Sequence, residues 1–224
     1  MIVFATKWDF LFASVLIGVD RSTGVFSGSE PAPGQQMVAV WTSAEIAEQA
    51  LHVESWELRP ILVRDLVGLL PPGVGVQVDP ERTSGMTASA AYVAGIRRFT
   101  EPFPVDAAVR VTTWDEIPDG ALAAVAQAAD EQGVRELHAL MYTVDDSPPI
   151  GCLAWVADAD ADTSAVGRSL ETALLTAADP EALGVATVRV LQLSAVPPEV
   201  RAAIGDRHRL RLGGRRRRSV FRRR

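Results

Sequence analysis

The sequence predicts an α+β protein: two small α+β domains, the second ferredoxin-like (β-α-β-β-α-β-α), followed by a basic tail. Three observations lead there. Short apolar runs of strand character alternate with segments whose apolar residues recur at helical spacing. The stretch Glu101-Pro102-Phe103-Pro104 breaks any element near the middle of the chain. The charge also divides sharply: residues 207–224 hold ten arginines and no acid, which leaves 12 basic and 28 acidic side chains in the first 206 residues. The formal −6 of the 224 residues is therefore an acidic body at −16 joined to a tail at +10. With 48% hydrophobic and 22% charged residues the composition is globular, which excludes disorder of the whole chain. A chain of this size buries roughly 70% of its unfolded surface without crosslinks. The expected domains are 1–103 and 104–206, with the Arg-rich tail at 207–224.

Residues 10–19 (FLFASVLIGV) are the most hydrophobic stretch, half the length of a membrane span. Asp9 interrupts the approach to them and no small-residue cleavage site follows, so they read as a buried strand rather than a signal peptide. The strand reverses at Asp20-Arg21-Ser22-Thr23-Gly24 and returns through Val25 and Phe26. Prolines and glycines in residues 27–36 (SGSEPAPGQQ) allow neither helix nor central strand. Residues 37–41 (MVAVW) form a short strand. Thr42-Ser43-Ala44-Glu45 then has capping-box spacing, with Thr42 as cap and Ile46, Ala47, Ala50 and Leu51 on one face of the helix that follows. A strand over 57–63, a short helix over 64–70, a strand through Val74, Val76 and Val78, and a helix over 85–99 complete the first half.

In the second half, residues 107–113 form a strand. Pro118-Asp119 starts a helix with Leu122, Val125, Ala126 and Ala129 on one face and Gly133 as its stop. Strands at 136–144 and 150–157 flank the turn signal Asp145-Asp146-Ser147-Pro148-Pro149 and so make a hairpin. Thr163 or Ser164 caps a helix whose Val166, Leu170, Ala173, Leu174 and Ala177 share a face. A last strand over 186–193 and a short helix opened by Pro197-Pro198 and ending near Gly205 complete the split βαβ order.

Two sets of residues carry a family resemblance: VAVWTSAEIAEQA at 38–50 with VGVQVDP at 74–80, and IPDGALAAVAQAA at 117–129 with VRVLQLSAVPPEVRAAI at 188–204. Together they resemble the SseB family, named for enhanced serine sensitivity. The first set is similar to its N-terminal domain and the second to its C-terminal domain, over about residues 36–205. The resemblance implies a two-domain α+β protein with no established catalytic residues.

The residues point to no catalytic site, cofactor or metal. His52 closes the first-half helix after residue 50, where a histidine complements the helix dipole; His138 alternates within a strand, and His208 belongs to the tail. Cys152, the single cysteine, excludes an intrachain disulfide, fits a reducing compartment, and sits where a strand wants a small apolar residue. Asp158, Asp160 and Asp162 open like a calcium loop. Thr163 then stands where the loop needs glycine, and Ser169 where it needs a bidentate glutamate. No phosphate-binding loop or nucleophile elbow occurs. The five tryptophans read as core, since no cationic cluster interleaves with them.

The tail is the strongest single signal. Arg207, Arg209 and Arg211 alternate before Gly213-Gly214; Arg215, Arg216, Arg217 and Arg218, then Arg222, Arg223 and Arg224, flank Ser219-Val220-Phe221. Mutual repulsion predicts that the segment past Gly213 is disordered when free. Those ten arginines are the candidate polyanion-binding residues, for RNA, DNA or an anionic membrane through counterion release. The competing partner is the acidic body itself. The expected function is a non-catalytic, cytoplasmic SseB-like protein acting by protein–protein binding through an exposed sheet face or hairpin, with an unknown protein partner and no small-molecule substrate. The alternative is a polyanion-tethered accessory protein anchored by its arginine tail.

Overall fold

The computed structural model describes residues 4–51, 54–80, 82–158, 161–205 and 209–210. They fall into two compact units, Met1–Val105 and Asp106–Arg224. Both are α+β, each with one sheet and helices packed on it.

The first unit opens with helix α1 (Lys7–Phe12), which corrects the reading of residues 10–19 as one strand. The cause is local. The Thr6 hydroxyl accepts the Asp9 amide at 3.1 Å while the Asp9 carboxylate accepts the Thr6 amide at 2.8 Å, a closed capping box that commits the chain to a helical turn. Trp8, Phe10 and Leu11 are buried by it. Strand β1 (Ser14–Asp20) then follows and reverses at the expected turn, where Asp20 N–H donates to the Val25 carbonyl and Val19 bridges Phe26.

Strands β2 (Gly28–Ser29), β3 (Met37–Trp41), β4 (Trp56–Leu62), β5 (Gly75–Val78) and β6 (Met86–Ala88) complete a six-stranded sheet in the order β4-β1-β3-β5-β6, with β2 also on β3. Only β3 and β5 are parallel. Helix α2 (Ala44–Ala50) covers Ala39 and Trp41 through Ala47. Its cap is Ser43, whose hydroxyl accepts the Ile46 amide at 3.3 Å. Thr42 is displaced from that role because its own hydroxyl is held by Asp79 at 2.7 Å. Helix α3 (Val63–Leu69) buries Val63, Leu66 and Val67.

The single helix expected over 85–99 is instead β6, helix α4 (Ala90–Ile96) and a 3-10 turn, Arg97–Thr100. Ser89 interrupts the run by capping α4 through the Tyr92 amide. Ahead of it, β6 comes so close to β5 that a Cβ at Gly75 would lie 2.6 Å from the Ala88 carbonyl oxygen.

The second unit contains β7 (Val109–Thr113), α5 (Asp119–Glu131), β8 (Val134–Val144), β9 (Ile150–Ala157), α6 (Thr163–Ala177), β10 (Thr187–Gln192) and α7 (Pro198–Ile204). The element order is the expected one, but the sheet order is β10-β9-β8-β7, with only β9 and β10 parallel. A split βαβ unit would interleave its strands so that the first lies beside the third. Here β7 is short and polar at Arg110, Thr112 and Thr113, with none of its residues buried, so it takes an edge. Strands β8 and β9, most of whose residues are buried, fill the centre.

Helices α5 and α6 close one face of this sheet. Ala121, Val125 and Ala129 of α5 and Val166, Leu170 and Leu174 of α6 meet Leu137, Leu153 and Trp155 of the strands. Gly133, in the left-handed region at φ 70°, ends α5 as expected. Helix α6 is capped by Asp162 rather than Thr163 or Ser164; its carboxylate accepts the Ser164 and Ala165 amides at 3.0 and 3.1 Å.

Candidate interaction site

Strand β8 outruns its neighbour. Its eleven residues pair with β9 along most of their length, whereas β7 reaches only from Val144 to Leu140. On the side vacated by β7, residues 209–210 lie against the strand: Arg209 bridges His138 in antiparallel sense, and the Leu210 amide donates to the Leu137 carbonyl at 2.8 Å.

Strand alternation sends these two side chains to opposite faces. Leu210 packs into the core formed by α5, α6 and the sheet, alongside Leu137. The Arg209 guanidinium instead reaches the Glu136 carboxylate at 3.4 Å. His138 stands on that same face, its side chain only 5% exposed, with Nε2 at 3.8 Å from the other Glu136 oxygen. Neither ring nitrogen of His138 has a hydrogen-bond partner among the described residues. Such a ring is costly to leave unsatisfied, and a charged partner arriving at Glu136 changes its surroundings directly.

Between Val134 and Glu136 the pairing with β9 slips by a bulge. A bulge re-aims a side chain, and here Arg135 turns to Asp158 at 3.2 Å and to the Ala157 carbonyl at 3.0 Å. Beneath the edge, a cleft of about 150 Å³ is lined by Thr113, Trp114, Asp115, Ile117, Leu122, Ala139, Arg209 and Leu210. Trp114 is fixed there by donating its indole N–H to the Leu183 carbonyl at 2.9 Å.

This is chemistry for pairing backbones, with acceptors, a carboxylate and an apolar floor. Of the ten arginines marked in the sequence, only Arg209 lies among the described residues; Arg207, Arg211, Arg215, Arg216, Arg217, Arg218, Arg222, Arg223 and Arg224 lie outside them, as do His52, His208 and Asp160. Asp158 and Asp162 serve an ion pair and a helix cap. Among the described residues no group of three or more His, Cys, Asp or Glu side chains is placed to hold a metal. Cys152 is fully buried, and that desolvation pushes its thiol up to about 12 despite the nearby Arg189. Trp8, Trp41, Trp114 and Trp155 are all core. No helix among the described residues is long and apolar enough to cross a membrane.

Sequence reasoning missed Glu136 and Leu137 as partners of the tail's root. The available signal was the period-two pattern of Arg207, Arg209 and Arg211 against His208, Leu210 and Leu212, a half-buried strand in miniature. Comparison of the chain with family models, with curated proteins and with solved structures found no match.

Proposed function

We propose that this chain is a cytoplasmic, non-catalytic SseB-like protein that binds another protein by strand addition at the β8 edge of its second unit. One observation carries the reading: that edge already pairs with backbone from outside the four strands, through the Leu210 amide and the Leu137 carbonyl. A sheet edge is a template for main-chain pairing, and specificity comes from the side chains beside it, here Glu136 and the cleft under Trp114. The SseB-like motifs at 38–50, 74–80, 117–129 and 188–204 support the family reading, and a lone, buried thiol supports a reducing compartment.

The test places a photo-crosslinking residue at Thr113, the end of β7, and a control at Thr176, exposed on α6, in the full chain. Capture of one stoichiometric protein at Thr113 and not at Thr176 is expected. No discrete product at Thr113, together with turnover in an activity screen, overturns the reading.

A second reading is favoured by the attachment of the tail's root to the folded body at Arg209 and Leu210. In that reading the arginines from Arg215 onward tether the body to nucleic acid or anionic membrane. Deleting residues 213–224 is expected to abolish salt-dependent binding to RNA or anionic vesicles. Binding that survives the deletion, or that ignores salt, excludes the anchor.

A further inference from the structure

We propose that the β8 edge at Leu137 and His138 is self-occupied: the chain's own Arg209-Leu210 backbone is seated there, and an incoming partner must displace it. The inference rests on the reading above of that edge as a strand-binding site and names its regulation.

Three observations select this occupant over a foreign strand. Arg209 and Leu210 are already seated, with the antiparallel bridge to His138 and the 2.8 Å hydrogen bond to Leu137. Their side chains are sorted by face as an added strand demands, Leu210 into the helix-covered core and Arg209 to Glu136. The sequence keeps that sorting through the segment, with arginine at 207, 209 and 211 and His208, Leu210 and Leu212 between, and it stops at Gly213-Gly214.

Charge agrees as well: Arg209 meets the Glu136 carboxylate at 3.4 Å, and Arg135, the cation that would oppose it, is drawn away to Asp158 at 3.2 Å. A tethered segment also competes at a high effective concentration, on the order of millimolar for a short connection. The residues from Gly205, which caps α7, to Arg209 are such a connection.

The device is an edge guard. An open edge invites indiscriminate pairing, and natural sheets cover such edges. Here the cover belongs to the same segment that begins the arginine tail, so whatever pulls on the tail unseats the guard.

The test uses full-length chains and a fluorescein-labelled peptide of residues 207–214 (RHRLRLGG) as probe. The variant Leu210→Pro removes the amide that donates to Leu137, and Leu210→Asp places a charge against the apolar core; each frees the edge by a different route. Saturable peptide binding to both variants, and binding at least ~10-fold weaker to the wild-type chain, is expected because the tethered copy competes. A peptide carrying proline at the position of Leu210 is expected not to bind. Equal binding to wild type and variants, or binding to none of them while circular dichroism shows the variants folded, overturns the inference. Peptide binding to the freed edge without any crosslinked partner at Thr113 would leave the guard intact and remove the protein-binding reading. Crosslinking without peptide binding would do the opposite.

Discussion

Asp79 grips Thr42 with both carboxylate oxygens: Oδ1 accepts the Thr42 amide at 2.9 Å and Oδ2 accepts its hydroxyl at 2.7 Å. The pair ties together the ends of the two parallel strands of the first unit, β3 and β5, and Asp79 is buried in the left-handed region at φ 47°. Asp79→Ala leaves a half-buried amide and hydroxyl without their acceptor and removes a side chain type that tolerates positive φ. It is expected to cost about 2–4 kcal/mol in urea denaturation. Asp79→Asn keeps an acceptor for the amide and tolerates the backbone, so less than half of that loss is expected. Equal losses would mean that the carboxylate charge, not the paired hydrogen bonds, holds the strand ends.

Gly151 and Trp114 form the second coupled pair, since a Cβ on Gly151 would overlap the Trp114 ring. Gly151→Ala is expected to destabilise the protein by about 1–3 kcal/mol through overpacking. In a Trp114→Leu background the same change costs much less, because the ring it strikes is gone. A double-mutant cycle by denaturation checks this, and additive effects would refute the contact.

Cys152 is fully buried with its thiol pushed up to about 12, so almost no thiolate is present at neutral pH. Native protein at pH 8 is expected to resist alkylation over hours and to react fully once unfolded in guanidinium. Rapid labelling of native protein would show that this face of the sheet opens to solvent.

Asp20 is pulled down from 3.8 to about 2, first by the Ser22 hydroxyl and then by the Thr23 amide and hydroxyl and the Ser22 amide. A carboxylate whose folded value is depressed contributes stability that is complete above its unfolded value and lost as pH falls through the folded one. The turn after β1 is therefore expected to hold from neutral pH to about pH 4 and to loosen toward pH 2. An NMR titration of the Asp20 carboxyl carbon with a midpoint near 4 would show that the turn does not retain these bonds in solution.

Much of the fold was legible because it is locally encoded. Helices α5 and α6, the β8–β9 hairpin and the stop at Gly133 follow from apolar spacing, proline and glycine placement and a turn signal, all acting within a few residues. Where two local rules compete, the sequence alone was misleading. Residues 10–19 look like a strand by hydrophobicity, yet Thr6 and Asp9 start a helix across their first residues. Met86 and Ala88 fit a helical window, yet the parallel neighbour of β3 needs a strand beside it.

By itself, then, the sequence determined the α+β class, most of the elements and the opposition between an acidic body and an arginine tail. Tertiary structure decided the order of strands in the second unit, the withdrawal of Thr42 from its helix cap to Asp79, and the seat of Arg209 and Leu210 on β8. Each of these is a pairing between residues far apart in the chain. Periodicity says which face of a strand is buried; only the competition of all the edges for one another says which strand lies beside it.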